Sequence, residues 1–112
     1  MPPAEVDVAV DDVLHIASPA DWDAARATGA IRPASLESEG FVHCSTRAQC
    51  PATLARHFPG AGHLVLLVLD PAVLGDALRW EEGRPGEVFP HVYAPIPLDA
   101  VTAVEHVTAP GT

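Results

Sequence analysis

The sequence predicts a small single α+β domain made of many short elements. Three observations carry that prediction. The 112 residues are 48% hydrophobic, enough to bury one core. Twelve prolines and eight glycines punctuate the chain too often for a few long helices. Apolar residues alternate at strand period in several stretches, and two other stretches carry helix-start signals.

Residues 1–12 are predicted as a flexible arm, with the alternation of Val6, Val8 and Val10 offering an edge strand as the competing reading. The domain proper spans 13–107, and 108–112 form a tail. "VLHIA" (13–17) is a strand with Val13, His15 and Ala17 on one face and Leu14 and Ile16 on the other. "SPADWDAARATG" (18–29) is a helix. Ser18 is its N-cap, Pro19 takes the first position, Asp21 favours the free amides of the first turn, and Gly29 stops it. Residues 31–40 make a connection with one turn starting at Ser35. "FVHCS" (41–45) is a strand in which Phe41, His43 and Ser45 point one way and Val42 and Cys44 the other.

Thr46 and Gln49 fit a capping box for the next helix. Pro51 falls five residues inside it, so either the first turn is irregular or the helix begins at Pro51. Cys50, Leu54 and Phe58 line its buried stripe. "HLVLLVLD" (63–70) is apolar on both faces and is the predicted central strand. "PAVLGD" is a turn, "ALRWEE" (77–82) a half-buried strand and "GRPGE" (83–87) a mobile loop. "VFPHVYAPI" (88–96) is extended, and its prolines confine it to a sheet edge or a site wall. "PLDAVTAVEHV" (97–107) is a turn and a last strand.

The formal net charge is -9, divided evenly between the two halves. There is no lysine and no basic stripe, so bulk nucleic-acid binding is excluded as a function class. A small anionic ligand is not, because one arginine or a helix end can hold it. Cys44 and Cys50 form neither a zinc knuckle nor a CxxC pair. Two free thiols in a reducing compartment are predicted, with a disulfide left open by the sequence. The early acids argue against a signal peptide, and "LVLLVL" is too short to cross a bilayer. The expected setting is cytoplasmic, as a monomer or weak homodimer.

Six histidines divide into two groups. His57, His63 and His106 sit at turn or strand boundaries and read as surface residues. His15, His43 and His91 each lie in or beside a short apolar strand. Singly, each reads as an interior histidine with satisfied ring nitrogens. If their faces converge, they form a polar pocket in an apolar wall, the usual form of a small-molecule site. Three imidazoles also leave open a zinc site of the hydrolase type, although no short-spaced ligand pair supports it.

"LRWEEG" places Arg79 and Glu81 on one face and Trp80 and Glu82 on the other, so one carboxylate alone turns into a cleft. Glu81 is the candidate, and Glu82 reads as solvated. "FPHVY" puts Phe89, His91 and Tyr93 on one face, able to stack on a planar ligand. Ser45, Thr46 and the helix amides after them suit a phosphate. A Cys44–His43 nucleophile is disfavoured, because adjacent strand residues point to opposite faces.

With these residues in place, "LHIA…W…A…G", "LESEGFVHCST…Q", "LVLLVLD…L…LRWEE" and "FPHVYAPIPLDAV" resemble the domain-of-unknown-function 952 family over about residues 13–107. The chain departs from the family pattern at Ala94, where glycine is usual, and at Pro51. The resemblance implies a fold like the ADP-ribosyltransferase group, with a split, strongly bent sheet and two or three short helices around a cleft. It implies that His15 corresponds to the early-strand histidine that holds a ribose, and His43 to the residue lining the nicotinamide side. Neither Glu81 nor His91 matches that group's late glutamate by motif. NAD or an ADP-ribose-like compound is the implied ligand.

Two readings of different class follow. In the first, the protein is a small enzyme acting on a nucleotide-like, phosphate-containing substrate. His15, His43, His91 and Glu81 carry its acid–base chemistry, and Ser45, Thr46, Arg79, Phe89 and Tyr93 bind the ligand. In the second, the same pocket is a non-catalytic nucleotide or metabolite binding module. A histidine-ligated zinc hydrolase is the third alternative.

Overall fold

A computed structural model describes residues 12–109, so the first eleven residues of the arm and the last three of the tail lie outside the described residues. The chain runs β1 (Val13–Ala17), α1 (Pro19–Thr28), β2 (Ala30–Ile31), α2 (Ala34–Glu39), β3 (Val42–His43), α3 (Cys50–His57) and β4 (His63–Leu69). It continues with α4 (Pro71–Leu74), β5 (Leu78–Arg84), β6 (Glu87–Val92), β7 (Ile96–Pro97) and β8 (Val101–Thr108). Among the described residues four short α-helices are present rather than two or three. Among the described residues, no helix is long and apolar enough to cross a membrane.

The strands form two three-stranded antiparallel sheets, β1-β4-β8 and β3-β6-β5, and a β2-β7 ribbon. β4 is central, as its apolar run predicts. It buries Val65, Leu67 and Leu69 in one hydrophobic cluster and Leu64 and Leu66 in another. β1 divides in the same way, sending Val13 and Ala17 to the first cluster and Leu14 and Ile16 to the second. Cys50 and Leu54 of α3 complete the second cluster, with Phe58 packed against it.

Local chemistry sets the helix ends. Ser18 Oγ accepts the Asp21 amide at 3.0 Å, and Gly29 closes α1 in the left-handed region at φ +95°. Thr46 and Gln49 form the reciprocal capping box. The Thr46 amide donates to Gln49 Oε1 at 3.0 Å and the Gln49 amide to Thr46 Oγ1 at 3.2 Å. Residues 47–49 are a turn and the regular helix begins at Cys50, which puts Pro51 where its missing N–H is harmless.

Several expectations are corrected. Of the two alternatives for residues 88–96, an edge or a site wall, the edge does not hold for 88–92, since β6 is the middle strand of its sheet. Pro90 is tolerated there because its backbone faces the side where β3 ends, so its missing N–H breaks no β3–β6 ladder pair, while its carbonyl still accepts from Cys44 at 3.1 Å. The predicted loop at 83–87 is a closed hairpin, with strands reaching Arg84 and Glu87 and Gly86 at φ +81°. Glu82 Oε2 accepts the Gly86 amide at 2.8 Å. "PAVLGD" is helical, because Asp70 Oδ1 caps the Ala72 amide at 2.9 Å. The connection at 31–40 contains β2 and α2. The 41–45 strand shortens to two residues, since Cys44 and Ser45 bond in different directions. Thr108 completes β8, and Ala109 is buried with its amide on the Gly62 carbonyl. Cys44 and Cys50 are free and buried, so no disulfide joins them.

Candidate functional site

The two main sheets touch at one place and then part. Leu14 and Ser45 exchange both backbone hydrogen bonds at 2.8 Å. In an unbroken ladder the next such pair would be Ile16 and His43. The ring of His15 intervenes, and its Nδ1 lies 2.9 Å from the His43 carbonyl oxygen. Strand alternation turns the amide and carbonyl of Ile16 the same way as those of Leu14, toward the resulting gap. The gap opens into a cleft of about 830 Å³ lined by His15, Ile16, Ser45, His43 and His91 among others.

His15 is 6% exposed. A carbonyl oxygen only accepts, so Nδ1 carries the proton and Nε2 is a bare acceptor. Burial lowers its pKa, which keeps the ring neutral. No buried side-chain nitrogen or oxygen among the described residues lacks a partner. Since Nε2 makes no bond, it is open to the cleft.

His91 is held similarly. Its Nδ1 lies 2.8 Å from Glu81 Oε1, which also accepts from the Tyr93 hydroxyl at 2.6 Å. The Tyr93 bond first, and the His91 bond second, hold Glu81 below the usual carboxylate range, so it is ionised and His91 Nδ1 donates. The same contact raises the Tyr93 pKa. His91 Nε2 makes no bond and is the second ring nitrogen left at the cleft. Phe41 stacks on His91 at 4.2 Å between centroids and meets His43 edge-on at 4.7 Å. His43 is exposed, and its Nε2 pairs with both Glu39 oxygens at 3.1 Å.

Of the predicted residues, His15, His43, His91, Ser45 and Phe89 line the cleft. Glu81, Arg79, Tyr93 and Thr46 do not. Glu81 stands behind His91, and Arg79 rests over the Tyr93 ring at 5.3 Å. The phosphate cradle predicted at Ser45 and Thr46 is closed by its own bonds. The Ser45 amide goes to Leu14 and the Thr46 amide to Gln49, while Ser45 Oγ pairs with Thr53 Oγ1 at 3.2 Å. Glu82, read as merely solvated, lines the cleft, as does His57, read as a surface residue.

The sequence reading missed Gln49, Thr53 and Arg56 on one face of α3, and Glu87 and Arg84 on the hairpin. The α3 residues carry no site signal in the sequence, because the polar face of an amphipathic helix reads as solvent exposure. Gln49 also ties the hairpin to the helix, because its Nε2 donates to the Val88 carbonyl at 2.8 Å. His63 and His106 lie elsewhere, stacked on each other with 3.2 Å between ring nitrogens. Among the described residues, no group of three or more His, Cys, Asp or Glu side chains is placed to hold a metal. The zinc alternative therefore has no ligand set there. Burial pushes the Cys44 thiol well above its ordinary range and the Cys50 thiol up to about 11, so neither is poised as a nucleophile.

No curated protein matches the chain. The crystal structure of protein CC0527 from Caulobacter crescentus is similar, with 38% identity, a TM-score of 0.77, and coverage of 87% of this chain and 84% of that one. Its solution NMR structure gives 39% identity, a TM-score of 0.73, and coverage of 84% and 82%. The family model described as a protein of unknown function, DUF952, matches residues 16–104, most of the chain. The chain belongs to the DUF952 family.

Proposed function

We propose that the cleft binds a nucleotide-like, phosphate-containing small molecule, NAD or an ADP-ribose-like compound, and performs acid–base chemistry on it. One observation carries this reading: His15 and His91 are each locked through Nδ1, and both leave Nε2 unbonded at one cleft. Neutral His15 suits a ribose hydroxyl. His91, backed by Glu81, suits taking up and returning a proton, because the carboxylate stabilises the imidazolium so formed. His43 orients the ligand at the rim. The amide and carbonyl of Ile16 offer a donor and an acceptor side by side, the complement of a carboxamide. Phe89 offers a ring face. Tyr93 and Arg79 act on Glu81 rather than on the ligand. A fold of the ADP-ribosyltransferase type is consistent with two sheets splayed around such a cleft, and it enters as analogy.

A non-catalytic binding module is the second reading. The position of Glu81 favours it, since that carboxylate faces His91 and Tyr93 instead of the cleft. Two measurements decide. Proton–carbon NMR of the imidazoles, with and without ADP-ribose and NAD, is expected to shift His15, His43 and His91 and leave His63 and His106 still. Unmoved signals at millimolar ligand would end both readings. Release of label from NAD then separates enzyme from binder.

A further inference from the structure

The geometry points to the cleft-facing side of α3, Thr53, Arg56 and His57, as the wall that binds the ligand's phosphate. The inference rests on the nucleotide reading of the cleft and relocates its anion site from the Ser45–Thr46 amides, which are already bonded. The chain carries 15 acidic residues against six basic ones, all arginine. Carboxylates are therefore abundant partners. Among the described residues Arg26 takes Asp23, Arg47 takes Asp12 and Glu105, and Arg84 takes Glu87, while Arg79 rests on Tyr93. Arg32 and Arg56 make no ion pair among the described residues, and of the two only Arg56 lines the cleft.

Its surroundings supply the rest of an anion site. Thr53, Arg56 and His57 are three and four residues apart along α3, so they share one face. The Thr53 and Ser45 hydroxyls make one hydrogen bond between them, and one hydroxyl proton is left to donate into the cleft. The acids of the lining stand on other walls and are mostly engaged: Glu39 with His43, Glu87 with Arg84, and Glu82 with the Gly86 amide. The cleft is thus polarised, with donors on α3 and carboxylates on α1, α2 and the hairpin. A phosphate on α3 leaves the sugar and ring to reach His15 and His91. Arg56 and His57 also face the negative end of the α3 dipole. That role concerns helix stability and is blind to whether a ligand carries phosphate.

The test uses the full chain and its Arg56→Gln variant. Inorganic pyrophosphate, followed by NMR, is expected to move the Arg56 Nε–H, Thr53 and His57 signals in the wild type and to leave Thr53 and His57 still in the variant. Nicotinamide mononucleotide is expected to bind at least tenfold more tightly than nicotinamide riboside. The variant should bring those two affinities within about twofold. Pyrophosphate without effect on these signals, or a variant that keeps the full preference, overturns the α3 wall. A response to pyrophosphate with His15, His43 and His91 unmoved by NAD and ADP-ribose keeps the wall and removes the nucleotide reading instead.

Discussion

His15 Nδ1 donates to the carbonyl oxygen of His43 across 2.9 Å, at the point where the two main sheets separate. One side chain thereby does what a strand amide would do in a continuous ladder. The cleft exists because the imidazole, rather than Ile16, satisfies that carbonyl.

This predicts a specific pH dependence of stability. Burial holds the His15 pKa below its ordinary 6.5. The unfolded chain takes up a proton that the folded chain refuses, so stability falls as pH drops from about 6.5 toward the lowered folded value, and the loss is complete below it. His15→Asn keeps an N–H for the His43 carbonyl and does not titrate. Urea midpoints of the wild type should fall more steeply than those of the variant between pH 7.5 and 5. Parallel curves would show that His15 is not protected from protonation.

Glu81→Gln addresses the second imidazole. The wild-type carboxylate only accepts, so neutral His91 should be the Nδ1–H tautomer by nitrogen-15 NMR. Glutamine can also donate, and the variant should show mixed tautomers. Where NAD turnover is found, the variant should lose roughly 10²-fold or more. An unchanged tautomer would remove Glu81 from its orienting role.

Gly83 is fixed by Phe89. A Cβ on Gly83 would lie 2.6 Å from Phe89 Cδ1, and Gly83 sits where the β5–β6 register shifts. Gly83→Ala should cost about 1–3 kcal/mol by overpacking. Adding Phe89→Ala should cost less than the two single changes summed, because the clash is then gone. Strict additivity in a double-mutant cycle would place the ring elsewhere.

The capping box couples the hairpin to α3. Thr46→Ala should cost about 1 kcal/mol. Gln49→Ala should cost more, because it frees both the Thr46 amide and the Val88 carbonyl. Hydrogen exchange in residues 82–88 should quicken in the Gln49 variant and not in the Thr46 variant. Equal exchange in both would mean that the hairpin holds its place without Gln49.

What was legible in the sequence was local. Ser18 and Gly29 bound α1, Thr46 and Gln49 cap α3, and the apolar run at 64–69 marks a strand buried on both faces. What was hidden depended on partners. Pro90 reads as an edge residue until β3 is seen to end beside it. The Ser45 and Thr46 amides read as free until Leu14 and Gln49 take them. At the site, the period of the strands brought forward His15, His43 and His91. Thr53 and Arg56 sit on a helix whose polar face reads as plain solvent exposure until the hairpin stands opposite.

The two cysteines belong to different interiors. Cys44 is packed in one hydrophobic cluster and Cys50 in the other, on opposite sides of the shared strands. Both are nearly buried, Cys44 at the floor of the cleft with 5% exposure and Cys50 away from it with 4%, so rapid alkylation of either needs the packing around it to loosen. Mass spectrometry of pulse-alkylated protein can therefore time the loosening of each half separately, with no label added to the chain. Simultaneous capture of both sulfurs would mark a single cooperative unit, and staggered capture would show which interior yields first.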